Sequence, residues 1–133
     1  MAIETIHLSQ QAKEQLIKLK RITGVQTWNV LCRWGFCASL ADPSVPAPAK
    51  IPADSSVEMT WKVFGGPYQE IYHAILKERC KRDGLGTDGE TLGIQFKLHL
   101  HRGIGYLSAL KKTANIADFL STHLPFIEPS HKI

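Results

Sequence analysis

The stretch LHLHRGIGYL, residues 98–107, sets His99 and His101 one residue apart, follows them with Arg102, and places Gly103 and Gly105 on either side of Ile104. Such a set could hold a metal ion, supply a general base, or present an arginine to an anion. Spacing separates these possibilities. On a helix, side chains two positions apart diverge by about 160°, so the pair cannot share a metal. A strand would bring them to one face, but further ligands would have to come from His7, His73, Cys80, His123 or His131, which stand in no recognised ligand spacing. The expectation is no metal and no cofactor, with one histidine packed and satisfied and the other exposed beside Arg102.

Other reactive groups are sparse. Cys32, Cys37 and Cys80 form an odd set without metal-like spacing, read as free thiols in a reducing compartment. Cys32 and Cys37 fall in an apolar segment and read as buried. Cys80, between Arg79 and Lys81, is the one candidate for a reactive thiolate. The segment GLGTDG, residues 84–89, matches the dinucleotide fingerprint G-x-G-x-x-G, but a helical pattern precedes it where a strand is needed. Gly84 reads instead as the end of that helix, with Thr87 and Glu90 at capping-box spacing for the next. With no triad, carboxylate pair or phosphate loop, the chain is expected not to be an enzyme.

Cationic side chains are the remaining chemistry. The net charge of +4 over 133 residues is modest, but its distribution is clustered. Lys13, Lys18, Lys20 and Arg21 form one group; Lys77, Arg79, Lys81 and Arg82 form a second. Lys97, Arg102, Lys111 and Lys112 form a third, in a span from Thr91 to Ala117 that contains no acid. Three such groups suit a surface that follows phosphates, since each cation placed on a phosphate releases condensed counterions.

The elements that must position these groups follow from periodicity. Ile6 and Leu8 alternate with Thr5 and His7, predicting a short strand whose offered side chains include Glu4, Ile6 and Leu8. A helix over SQQAKEQLIKLKRIT follows, with Ser9 as N-cap and Gly24 as its stop. Ala12, Leu16, Leu19 and Ile22 share an apolar arc of about 120°, with the four cations opposite. The next helix, TWNVLCRWGFCASLA, is apolar nearly all round except at Asn29 and Arg33, so it must be buried all round, and a second copy of the chain is the expected cover. Arg33, a lone charge there, reads as a structural hydrogen-bonding partner.

Residues 41–56 hold four of the seven prolines and read as an extended loop. VEMTWKVF alternates and predicts a second strand ended by Gly65 and Gly66. Pro67 opens a helix, PYQEIYHAILKERCKRD, expected to bury Tyr68, Ile71, Tyr72, Ile75 and Leu76 and to expose Lys77 and Lys81. ETLGIQFKLHLHR is predicted as a further helix broken by GIG, with YLSALKK starting another.

The whole reads as a mainly α fold with one or two short strands, a single domain over 1–133. It divides into a unit over 2–40, the Pro-rich loop 41–56, the second strand with C-terminal helices over 57–124, and a tail over 125–133. No run of about 18 apolar residues and no signal-peptide pattern occur, so the reading is cytoplasmic, with no membrane partner.

Strand, amphipathic helix, T-G turn and apolar helix over 2–40 resemble the ribbon-helix-helix DNA-binding arrangement, extended here by C-terminal helices in a homo-oligomer. Over nearly the whole chain, the LSQQAKEQLIKLKRITG start, the Trp61–Gly66 segment and HLHRGIGYL resemble the DndE family, small subunits of the bacterial DNA phosphorothioation (Dnd) system. That resemblance implies a non-enzymatic, DNA-binding member of a modification complex in which other Dnd subunits do the sulfur and nucleotide chemistry. It also favours a homotetramer. The partner expected is double-stranded DNA, nicked or distorted duplex above all, because replacing a phosphate oxygen needs access that a stiff duplex hinders. Backbone contact is expected from Lys13, Lys18, Lys20 and Arg21 with the turn at Thr23 and Gly24, then from Lys77 and Lys81, then from Arg102, Lys111 and Lys112. The alternatives are a persulfide carrier using Cys80 and an adaptor that bridges Dnd subunits without touching DNA.

Overall fold

The computed structural model describes residues 3–110. Strand β1 (Thr5–His7) leads into helix α1 (Gln10–Thr23) and helix α2 (Trp28–Ala41). After the Pro-rich loop come β2 (Glu58–Thr60), the short helix α3 (Trp61–Gly65), a 3₁₀ turn (Gly66–Tyr68), α4 (Gln69–Arg82) and α5 (Gly89–Ser108). The strands form an antiparallel ribbon in the register Thr5 to Thr60, Ile6 to Met59 and His7 to Glu58. No helix among the described residues is long and apolar enough to cross a membrane. Lys111, Lys112 and the tail 125–133 lie outside the described residues.

Helix α1 forms as its sequence dictates. The Ser9 hydroxyl accepts the Ala12 amide at 3.0 Å, and Gly24, at φ 79°, takes the left-handed conformation that closes the helix. Ala12, Leu16 and Leu19 are buried, joined by Thr23, while Ile22 is only half-buried.

Helix α2 is enclosed from Val30 to Ser39, Arg33 included, and the cover comes from its own chain. Helix α5 lies along it, with α3 against another flank. The burial of α2 therefore does not require the second copy that its sequence had suggested. Gly35 and Gly103 mark the crossing: a Cβ on Gly103 would overlap the Gly35 carbonyl, and one on Gly35 would sit 2.9 Å from Ile104 Cγ1. Phe36 of α2 reaches Phe64, Tyr72 and Phe96 with ring centroids 5.9, 6.2 and 5.1 Å away, tying α3, α4 and α5 to one core. Fully burying one such side chain contributes about 1.5–3 kcal/mol.

Several sequence expectations are corrected. The second strand ends at Thr60, whose hydroxyl accepts the Val63 amide at 3.1 Å and starts α3. Trp61 and Phe64 are then buried at helical spacing while Val63 is exposed, which breaks the strand-like alternation. The cap of α5 is Asp88, not Thr87, through the Thr91 amide at 3.1 Å. Helix α5 runs unbroken through Gly103 and Gly105 to Ser108, because close packing on α2 requires a glycine where local propensity reads a breaker. On α4 the buried set is Tyr72, Leu76, Arg79 and Cys80, and Tyr68 and Ile71 are exposed. The ribbon buries Ile6 and Met59 and turns Thr5, Glu58 and Thr60 outward, so Ile6 and Leu8 are core residues rather than an offered surface.

Candidate nucleic-acid interface

The HLHR stretch is a structural clamp. His99 is fully buried, with Nδ1 2.7 Å from the Ser39 hydroxyl of α2. Burial, with Arg79 and then Arg102 nearby, pushes its pKa down to about 4, so the ring is neutral at pH 7. His101 is half-buried: its Nε2 accepts the Ser9 amide at 3.1 Å and its Nδ1 donates to the Lys97 carbonyl at 2.8 Å, which fixes the neutral tautomer. Desolvation lowers its pKa too. Neither histidine is the exposed one expected beside Arg102. They pin α5 to opposite partners, the end of α2 and the start of α1. Among the described residues no group of three or more His, Cys, Asp or Glu could hold a metal ion.

Arg102 is equally committed. It donates to the Ser39 hydroxyl at 2.8 Å, the Ser39 carbonyl at 2.9 Å and the Ser44 carbonyl at 3.1 Å, and lies 3.8 Å from the Asp42 carboxylate. Tyr106 donates to Asp42 at 2.6 Å, and this bond, with those from Ser44, holds the Asp42 carboxyl well below the usual range. The Pro-rich loop is thus fastened at its start, and Arg102 is withdrawn from the cations available to an outside phosphate. Arg79, counted from sequence among the cations of the second group, is buried and does similar work. It pairs with Asp83 at 2.9 Å and donates to the carbonyls of Leu40, Asp42 and Ser44. The i, i+4 spacing of Arg79 and Asp83 was the readable signal of that pairing. Arg33 donates to the Phe64 carbonyl at 3.2 Å, the structural role expected of it.

The thiols are enclosed. Cys32, Cys37 and Cys80 are all buried. Burial pushes Cys32 up to about 12, and burial together with Asp83 raises Cys80 against the opposing pull of Arg79. The environment of Cys80 therefore favours the thiol over the thiolate, and the persulfide-carrier reading loses its physical basis.

The exposed cations of the first two groups sit on α1 and α4, among the exposed Glu14, Glu70 and Glu78. Lys13 reaches the Ser56 hydroxyl at 3.0 Å, and Lys18 donates to the Ser108 carbonyl at 2.8 Å, a structural use that removes it from the free set. Lys20 stands 3.6 Å over the Trp28 ring, half-exposed, and Arg21 is exposed beside it. Gly24 is exposed at the turn, whereas Thr23 is buried, donating to the Leu19 carbonyl at 2.7 Å and accepting the Val25 amide. On α4, Lys77, Lys81 and Arg82 are exposed. Lys97 is half-buried in a hollow of about 240 Å³ between β1 and α5. Of the expected third cluster, Arg102 is half-buried and bonded to Ser39 and Ser44, Lys97 is half-buried, and Lys111 and Lys112 lie outside the described residues.

Fold and surface together define a small, mainly helical protein with an antiparallel ribbon, an enclosed polar clamp and exposed cations on α1 and α4. A family model described as DndE, DNA sulphur modification protein DndE, matches residues 5–115, and the chain belongs to that family. Among solved structures it is similar to DndE from Escherichia coli B7A involved in DNA phosphorothioation modification. The two are 26% identical with a TM-score of 0.63, over 80% of this chain and 99% of that one. It also shares the fold of a DndE mutant involved in DNA phosphorothioation, at 24% identity and a TM-score of 0.60, over 78% of this chain and 95% of the other. No curated protein sequence gives a significant match.

Proposed function

We propose that the chain is a non-catalytic, DNA-binding member of the DNA phosphorothioation machinery that holds the sugar-phosphate backbone of duplex DNA for other Dnd subunits to modify. The observation that carries this reading is the set of outward cations on α1 and α4 in a chain of a DNA sulphur modification family, while its thiols and the clamp histidines His99 and His101 are buried or bonded inward. Lys20 and Arg21, at the last turn of α1, are the principal contacts, with Lys13 on the same helix and the exposed Gly24 backbone beside them. Lysine and arginine on phosphates position a duplex without reading its bases. The preferred substrate is nicked or distorted duplex, which bends at a lower deformation cost than intact DNA. The chain acts as a homo-oligomer, a tetramer in this reading.

The test is binding of the isolated protein to intact, nicked and single-stranded forms of one sequence across a salt series, read by fluorescence anisotropy. The expected result is salt-dependent binding strongest on the nicked duplex, with Arg21→Ala lowering the slope of log affinity against log salt by about 0.9. No binding to any form at low salt would replace this reading with the adaptor.

A further inference from the structure

Two of the three tryptophans are sealed in the core: Trp34 is 2% exposed and Trp61 3%. Trp28, the first residue of α2, packs against that core but is only half-buried. The Lys20 ammonium stands 3.6 Å from its ring centroid, so it caps an indole face that the core leaves uncovered. Among the described residues this ring is the one partner of the Lys20 ammonium. The other aromatic side chains that reach the surface there are Tyr68 and Tyr106. Tyr106 is tied to Asp42 and has the committed Arg102 beside its ring, and Tyr68 has no cation over it.

The chain around Trp28 supplies cations without acids. Residues 15–41 contain no aspartate or glutamate. Arg21 is exposed next to Lys20, and Gly24, Gln26 and Thr27 are exposed along the turn that joins α1 to α2. Asn29 donates to the Val63 carbonyl at 3.2 Å, which brings α3, with Lys62 exposed, to the start of α2.

An ammonium on an exposed indole face is weakly held, and a phosphate offers it a full opposite charge. Once Lys20 moves to a phosphate, the ring face is bare. The place it vacates, 3.6 Å above the ring, is close to the spacing of about 3.4 Å between successive base pairs, so a base fits where the ammonium stood. Every base has a π-face, and stacking on an aromatic side chain tolerates any sequence. In an intact duplex each base face is already covered by its neighbour. At a nick the broken backbone lets one base pair part from the next at a lower deformation cost.

We propose that Trp28 is the residue that recognises the nick: its indole stacks on the base face laid open there, while Lys20 leaves the ring for an adjoining phosphate and Arg21 holds the backbone beside it. This inference rests on the backbone-binding reading above and adds to it the side chain that tells nicked from intact duplex.

The experiment follows tryptophan emission, together with the anisotropy of labelled DNA, as the full chain, Trp28→Phe, Trp28→Leu and Lys20→Ala are titrated onto nicked and intact duplex of one sequence. Thermal midpoints check that the variants fold. Nicked duplex is expected to quench the emission of the unaltered chain, and intact duplex to leave it near its free value. Trp34 and Trp61 are buried, so Trp28→Phe should abolish the quench while keeping most of the nick preference. Trp28→Leu, apolar but not planar, should weaken binding to nicked duplex by about 5- to 150-fold and leave binding to intact duplex in place. It should not change the salt slope, whereas Lys20→Ala should lower that slope by about 0.9. Binding to nicked duplex without a quench, or a Trp28→Leu chain that keeps its nick preference, would overturn the stacking. If Trp28→Leu fails to fold, the emission of the unaltered chain decides alone. A slope that Lys20→Ala leaves unaltered would overturn the transfer of Lys20 to phosphate, and equal affinity of the unaltered chain for both duplexes would overturn nick recognition. Failure to bind any DNA would overturn the backbone-binding reading, and this inference with it.

Discussion

At His99 the environment makes a prediction with a definite sign. The ring is enclosed, its Nδ1 is engaged with Ser39, and protonation would place a charge close to Arg79 and Arg102, with Asp83 and Asp42 only partly opposing it. The unfolded chain takes a proton near pH 6.5 and the folded one near 4, so the unfolded state binds more protons between those values. Stability is then fully present above about pH 6.5 and falls as pH drops towards 4, by an amount on the order of 3 kcal/mol. His101 is shifted the same way and adds to the slope. Urea unfolding midpoints at pH 7 and pH 5 check this, with the expected difference reduced in His99→Gln; an equal midpoint at both pH values would contradict it. Arg102 supports a second test. Arg102→Ala removes a side chain that donates to Ser39 and Ser44, and it should cost about 2–3 kcal/mol while leaving the salt slope of DNA binding unchanged. A fall in slope without loss of stability would return Arg102 to the DNA surface. Nothing in HLHR itself distinguishes these uses, because the partner atoms of Arg102 lie on Ser39 and Ser44, far away in the chain.

Elements were legible where local rules decide them. Helix α1 has its serine cap, its apolar stripe and its glycine stop within sixteen consecutive residues, Ser9 to Gly24, and the structure forms it accordingly. Helix α5 was misread at Gly103 and Gly105, since intrinsic propensity weighs glycine against a helix and takes no account of a neighbouring helix that excludes a Cβ. The two kinds of helical glycine can be told apart by substitution. Gly103→Ala forces α2 and α5 apart at their crossing and should destabilise by about 3 kcal/mol. Gly93→Ala, in the same helix with open space where its Cβ would lie, should stabilise by about 0.5–1 kcal/mol. Thermal unfolding of the two variants reads both signs, and equal effects would mean that the α2–α5 contact does not constrain position 103. The ambiguity at residues 57–64 has a similar origin. Val57, Met59 and Trp61 alternate as a strand would, and only the Thr60 cap, with Trp61 and Phe64 three apart, turns the segment into a helix.

The arrangement of the whole molecule was the least legible level, because it consists of contacts between distant residues. Ribbon pairing joins β1 to β2, the α2–α5 crossing joins the same two halves again, and the Arg79 clasp adds a third connection. The chain crosses from one half to the other along the Pro-rich loop, whose stretch from Ala47 to Lys50 is exposed and free of regular structure. Continuity of the backbone there contributes only the closure entropy of one loop, which is small beside the apolar surface shared by the halves. Cleavage after Lys50 should therefore leave residues 1–50 and 51–133 associated. Limited trypsin digestion followed by gel filtration tests this: one native-sized species is expected, yielding two fragments only in denaturant. Fragments that separate without denaturant would mean that each half keeps its own core, and the ribbon pairing and α2–α5 crossing between the halves would then not be what holds the molecule together.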